Sequence, residues 1–299
     1  MAKSKNTILV PVGFSKQSLI ALTQSYNLAR LTGSELLLLS VIEEQPALVK
    51  LLGRNKEEEK GKEELVKRAL ESLTKEVKEK SGLPVKIKIA RGKVYEEIIK
   101  LADEIKPQFI IMGTTGTADG IRGRFIGTNT MRVVHETTFP VITIHGKEHH
   151  DGCKTILLPL DLSKITKEKV QYAIDFAKYF NSQIYVLSID PPLQDEFLYK
   201  KIERQHAQVI KTIEKHGVKV DGEIMKQKRG KGEADLILSY AKLVKSDLIV
   251  IMAEKESSLE EFFTPTDEAK KIIYHSEIPV LCVKPMLTKN SLVKAITPY

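Results

Sequence analysis

Short unbroken apolar runs alternate with amphipathic stretches along the whole chain. Ile8 to Val12, Leu36 to Ile42 and Phe109 to Met112 are runs of strand length. Such runs are typical of strands covered on both faces. Between them apolar residues recur at helical spacing, first at Leu19, Leu22, Tyr26 and Ala29, later at Val94, Ile98, Leu101 and Ile105. That spacing predicts helices with one buried stripe. The charged stretch from Glu57 to Lys80 predicts a long solvated helix, and Val85 to Ala90 alternates apolar residues with lysine, as an exposed strand does. Met131, Val133 and Val134 mark one more helix, which Thr138-Phe139-Pro140 stops before the strand Val141 to Ile144. Strands alternating with helices demand right-handed crossovers and a parallel sheet with helices on both faces.

The series then starts again. Thr7-Ile8-Leu9-Val10-Pro11 returns as Thr155-Ile156-Leu157-Leu158-Pro159. Ala29 maps to Ala177, and Ser40 to Ser188, at an offset of 148. Further on the expected offset is 140, pairing Gly92 with Gly232, Ile98 with Leu238 and Met112 with Met252. Over the last strand it is 139, pairing Pro140 with Pro279. A repeat this long is a duplicated domain. The expected fold class is therefore α/β, with two Rossmann-like domains, each an open five-stranded parallel sheet with helices on both faces. The polar stretch from His145 to Gly152 marks the junction, so the expected domains are residues 1–147 and 152–299.

Composition adds exclusions. No apolar run approaches the roughly 20 residues that cross a bilayer, and Met1 to Lys5 lacks the apolar core of a secretion signal. No membrane association is expected. Two cysteines cannot build a disulfide framework, which fits a reducing, cytoplasmic location. The net charge of +8 is spread among acidic residues, and there is no tryptophan. Nucleic-acid binding is not expected without a basic face interleaved with aromatics. His145, His149, His150 and Cys153 cluster in sequence, but lack the tight pairs of a zinc site, so no metal site is expected. Ser15 and Ser163 follow first strands and read as helix caps rather than nucleophiles. No catalytic residue is expected.

The segment with most chemistry is Met112-Gly113-Thr114-Thr115-Gly116, followed after ten residues by Gly127-Thr128-Asn129-Thr130. A strand ends, glycines permit a tight turn, and a helix begins near Thr128. Helix N-termini present unpaired N–H groups and partial positive charge, which favour an anion such as phosphate. The plainer alternative is a glycine-rich connection in which Thr128 only caps the helix.

The Ile-Leu-Val-Pro-Val opening, this glycine pattern and the closing strand Phe139 to Ile144 together resemble the universal stress protein family. The second half resembles another copy, through Ile156 to Asp161, Ser246 to Met252 and Ile278 to Val283. The resemblance implies two domains of the adenine nucleotide α-hydrolase-like type. In ATP-binding members the motif is Gly-x2-Gly-x9-Gly-Ser/Thr, and the residue after the first strand is usually an aspartate that contacts the nucleotide. By that resemblance Pro11, Gly13 and Val41 line a nucleoside pocket with Met112 at its floor. Gly113, Gly116, Gly127, Thr128, Asn129 and Thr130 hold ribose and phosphates. ATP or another adenine nucleotide is the implied ligand, with magnesium only as its companion.

Each half departs from the pattern differently. The first keeps the glycines but has Gly13 in place of aspartate, and its spacer is one residue longer. The second keeps Asp161, but its loop carries Glu254, Glu256, Glu260 and Glu261, with Thr266-Asp267 where Gly-Thr is expected. Acids in a phosphate site repel the ligand. The expectation is a stress-response binding protein whose nucleotide site is confined to the first half. The last strands of the two halves are expected to pair as an internal pseudo-dimer, with a homodimer left open. The rivals are a tandem scaffold that binds partners and no nucleotide, and a slow ATPase or self-phosphorylating protein.

Overall fold

The computed structural model describes residues 6–43, 56–114, 128–146, 152–160, 166–192, 195–227, 230–253 and 268–284, without the side chains of 56–60 and 166–167. The chain forms two compact units. One comprises residues 1–153 and 272–281, the other 154–271 and 282–299.

Among the described residues the first half runs β1 (Thr7–Pro11), α1 (Lys16–Thr32), β2 (Glu35–Glu43), α2 (Lys56–Ser81), β3 (Val85–Gly92), α3 (Val94–Ile105), β4 (Phe109–Gly113), α4 (Thr128–Glu136) and β5 (Val141–Ile144). The second runs β6 (Thr155–Leu160), α5 (Thr166–Phe180), β7 (Gln183–Asp190), α6 (Glu196–Lys215), β8 (Lys219–Lys226), α7 (Glu233–Leu243), β9 (Leu248–Met252), α8 (Glu268–His275) and β10 (Val280–Val283). Strands of the first half lie in the order β3-β2-β1-β4-β5, those of the second in the order β10-β9-β6-β7-β8. The pairings β1–β2, β1–β4, β2–β3 and β4–β5 are parallel, as are β6–β7, β6–β9 and β7–β8.

Burial follows the apolar runs. Ile8, Leu9, Val10, Leu36, Leu38 and Ile110 are fully buried, as are Ile156, Leu157 and Leu158 in the other half. Each such side chain contributes about 1.5–3 kcal/mol of transfer free energy. The edge strand β3 alternates half-buried with exposed residues, matching its lysine pattern. Leu22, Tyr26 and Ala29 of the expected α1 stripe are buried, while Leu19 departs from it: it is exposed, and its neighbour Ile20 is buried. Ser15 caps α1 as expected, accepting from the Ser18 N–H at 3.2 Å.

Backbone conformation corrects the internal alignment. Gly33 and Asn181, both left-handed at φ 63 and φ 54, lie 148 positions apart. Lys106 and Lys245, at φ 50 and φ 51, lie 139 apart. The sheet agrees, because Ile8 faces Phe109 while Ile156 faces Leu248. The offset through α3, β4 and their counterparts is thus 139, not 140. Gly232 is the N-cap of α7, matching the N-cap Lys93 of α3 rather than Gly92. Gly113 corresponds to Met252 and Thr114 to Ala253, so the sequence likeness of Met112 to Met252 misled by one residue.

The second half buries a polar pair of its own. Ser188 Oγ and His206 Nδ1 are hydrogen-bonded at 2.9 Å, between β7 and α6. Gly222 on β8 makes room for the ring, since a Cβ there would stand 2.9 Å from His206 Cε1 and 2.7 Å from the Val186 carbonyl oxygen. Burial pushes the His206 pKa below its ordinary value. The unfolded chain therefore takes up a proton first as pH falls. Stability is lost from about pH 6.5 downward until the native imidazole also titrates. His206→Gln is expected to flatten the drop in melting temperature between about pH 7.5 and about 5.5. An unchanged drop would show that His206 is not its source.

Candidate functional site

In the order β3-β2-β1-β4-β5 the chain reverses direction between β1 and β4. Open α/β sheets bind ligands at that switch point, beyond the carboxyl ends of the strands. Pro11 ends β1 and is buried; Gly13, just beyond, is exposed. Val41 is half-buried on β2, two residues past Leu39, the partner of Pro11. Met112 is buried in β4, and half-buried Gly113 ends it. Thr128, Asn129 and Thr130 open α4, from exposed through half-buried to buried. Gly116 and Gly127 lie outside the described residues, as do Asp161, Ser163, His149 and His150, the acids from Glu254 to Glu261, and Thr266-Asp267.

The structure brings two of the expected residues together. Thr130 Oγ1 donates to the Gly113 carbonyl at 3.0 Å, tying the first turn of α4 to the end of β4. Gly113 is a glycine by necessity of packing. A Cβ there would lie 2.7 Å from the backbone C and O of Gln17 in α1. Gly13 is different, because a Cβ would meet nothing within 4 Å. Next to it Phe14 holds φ 56, an uncommon conformation for an aromatic residue.

Three residues missed by sequence reasoning complete the cluster. Gln17 Nε2 donates to the Gly146 carbonyl at 2.8 Å. Thr114, fully buried, donates its N–H to the Ile144 carbonyl at 3.0 Å, and its Oγ1 is hydrogen-bonded to His145 Nδ1 at 2.7 Å. In the sequence His145 stands out only as the start of a polar junction where no metal site is expected, and no spacing rule links residues 31 positions apart. The corrected alignment could have drawn attention to them. The counterparts of Gln17, Thr114, Thr130 and His145 are Ile165, Ala253, Ala269 and Lys284. The first three cannot make these side-chain bonds.

Around the neighbouring helix starts the halves also differ. In the first, the Arg132 guanidinium of α4 lies 4.4 Å above the centre of the Tyr95 ring on α3. Nearby, the Lys93 ammonium holds the Glu96 carboxyl below its ordinary range. In the second, Glu268 at the start of α8 accepts from the Ala234 N–H of α7 at 2.8 Å and from Lys271 Nζ at 2.7 Å. A carboxylate of the chain itself satisfies that helix N-terminus.

The profile of the universal stress protein family matches residues 5–145 and again 152–284. The chain belongs to the universal stress protein family. It carries two copies of the domain in tandem. Two universal stress proteins of Methanocaldococcus jannaschii are similar to it. One is 31% identical over 155 residues, covering 47% of this chain and 94% of the relative. The other is 29% identical over 144 residues, covering 44% and 82%. The crystal structure of a universal stress protein from Archaeoglobus fulgidus DSM 4304 shares the fold over nearly the whole length. Its TM-score is 0.72, at 19% identity, covering 94% of this chain and 96% of that one. No helix among the described residues of this universal stress protein is long and apolar enough to cross a membrane.

Proposed function

We propose that this tandem universal stress protein binds an adenine nucleotide in its first half only. Pro11, Gly13, Val41 and Met112 take the nucleoside. Gly113, Gly116, Gly127, Thr128, Asn129 and Thr130 take ribose and phosphates, with magnesium entering only alongside them. The observation that carries this reading is the polar cluster of Gln17, Thr114, Thr130 and His145 around Gly113, at the switch-point edge of the first sheet. The second-half counterparts of Gln17, Thr114 and Thr130 are apolar, and its segment 254–261 carries four glutamates. ATP is the nucleotide by family resemblance, and the protein acts by binding rather than by catalysis, in the cytoplasm.

The domains are taken as 1–147 and 152–299, with the second serving as an internal partner through the last strands β5 and β10. In support, Thr143 Oγ1 donates to the Val280 carbonyl at 3.4 Å, and both residues belong to the first compact unit. Joining strand edges shields them from unwanted pairing.

Equilibrium binding of ATP, ADP and AMP tests the reading. Binding is expected to survive Asp161→Ala and to disappear with Gly116→Glu. Gly13 favours a second reading, in which the protein is a scaffold without nucleotide. No binding at millimolar ATP would establish it against the first.

A further inference from the structure

We propose that the starts of α3 and α4 in the first half hold a phosphoryl group of the bound nucleotide, through the Tyr95 N–H and the Arg132 guanidinium. This rests on the nucleotide reading above and adds two residues outside the family's glycine motif.

The second half holds an anion at the equivalent place. Glu268, at the start of α8, reaches the first turn of α7 and accepts from the Ala234 N–H at 2.8 Å. Its other oxygen accepts from Lys271 Nζ at 2.7 Å. The glutamate side chain is only 19% exposed. Gly232, the N-cap of α7, makes no side-chain capping bond, so this carboxylate serves instead. Helix N-termini favour such a group, because their first N–H groups lack intrahelical acceptors and carry partial positive charge.

At the corrected offset of 139, Ala234, Glu268 and Lys271 correspond to Tyr95, Asn129 and Arg132. The donors are kept and the carboxylate is gone. Lys93, the N-cap of α3, makes no side-chain capping bond, and among the described residues nothing accepts from the Tyr95 N–H. The Arg132 guanidinium stands 4.4 Å above the Tyr95 ring, and among the described residues no carboxylate forms an ion pair with it. Glu96 does not take the missing place. Its carboxylate is held by Lys93 Nζ at 2.7 Å and by the Tyr95 hydroxyl at 2.8 Å. Its counterpart Asp235 is acidic too, and coexists with Glu268.

Two further exchanges favour an anion in the first half, Lys93 for Gly232 and Val94 for Glu233. Glu97 for Leu236 opposes them. That carboxylate turns toward Gly92, where a Cβ would stand 3.2 Å from Glu97 Oε1, and pairs with Lys100 at 3.8 Å. The anion that the second half supplies from its own chain is thus left to a ligand in the first. The planar fork of Arg132 suits phosphoryl oxygens better than the single ammonium of Lys271 does.

Calorimetry with ATP, adenosine and inorganic phosphate tests this on the full-length chain and on Asn129→Glu, Asn129→Gln, Arg132→Ala and Arg132→Lys. Asn129→Glu gives the first half the carboxylate of the second. ATP affinity is expected to fall at least about tenfold, while the melting temperature holds or rises because α3 gains a cap. Asn129→Gln, equal in size but uncharged, should lose much less. Arg132→Ala is expected to weaken ATP about tenfold, and Arg132→Lys about threefold. Adenosine has no phosphoryl group, and its affinity should stay within about twofold throughout. Undiminished ATP affinity in Asn129→Glu, equal losses for ATP and adenosine, or equal losses in Asn129→Glu and Asn129→Gln would each overturn the phosphoryl site. The nucleotide reading would survive those outcomes. A wild-type chain that binds inorganic phosphate but no ATP, and loses the phosphate in Asn129→Glu, would overturn the nucleotide as the source of the anion. A wild-type chain that binds neither would overturn both.

Discussion

Gly13→Asp is expected to tighten ATP binding by about ten- to a hundredfold. The position just past β1 is exposed, and a Cβ there would meet no atom within 4 Å. Its φ lies outside the left-handed region, so a side chain brings no backbone strain. An aspartate therefore fits without repacking. It would supply the carboxylate acceptor that the family pattern places after the first strand and that this half lacks. A hydrogen bond to a charged acceptor contributes about 1.5–3 kcal/mol, and about 1.4 kcal/mol is a factor of ten. Titration calorimetry on wild type and variant reads the change directly. Unchanged or weaker affinity would remove Gly13 from the nucleoside pocket.

Gly113→Ala is expected to damage both fold and site. The new methyl would stand 2.7 Å from the Gln17 backbone carbon and oxygen, and 2.9 Å from its Cβ. Backbone cannot swing aside as a side-chain tip can, so the first turn of α1 must shift. Overpacking of this kind costs about 1–3 kcal/mol, which lowers the melting temperature of a domain near 150 residues by about 2–4 °C per kcal/mol. The shift would also disturb the bonds Thr130–Gly113 and Gln17–Gly146, and ATP affinity should fall with stability. Gly61→Ala is the control. It lies on α2 with nothing within 4 Å of its Cβ, and should be neutral or stabilising by about 0.5–1 kcal/mol. Equal melting temperatures for the two variants would show that the close approach of α1 to Gly113 is not tight in solution.

The contrast between these two glycines marks how far the sequence could be read. Gly13 and Gly113 look alike as letters in a motif. One is free of steric demand, and the other is fixed by a helix that passes over it. Sequence alone has no means of ranking them, because the constraint on Gly113 comes from a residue 96 positions earlier. The fold was far more accessible. Continuous apolar runs place β1, β2, β4 and their counterparts, since a strand covered on both faces has few other compositions. Duplication then fixes the topology twice over.

The register between the two halves is not encoded in residue identity alone. Identical residues at Met112 and Met252, and at Gly92 and Gly232, pulled the alignment one position off. The left-handed lysines Lys106 and Lys245 restored it. That correction matters for function, because it sets Thr114 against Ala253 and so isolates the hydroxyl bonded to His145. The expected site residues Pro11, Val41, Met112 and Thr130 do fall at the carboxyl edge of the first sheet. The bonds among Gln17, Thr114, His145 and Gly146 were out of reach. They join the ends of elements distant in sequence, and nothing in local composition encodes them.

The central claim is that one half of this universal stress protein binds nucleotide while the other does not. Photo-crosslinking of the full-length chain with an azido-ATP probe, followed by peptide mapping, tests it most directly. The expected result is a single saturable label, competed by ATP, on peptides from residues 1–147. A competed label on peptides from residues 152–299, or no saturable label in either half, would contradict the account.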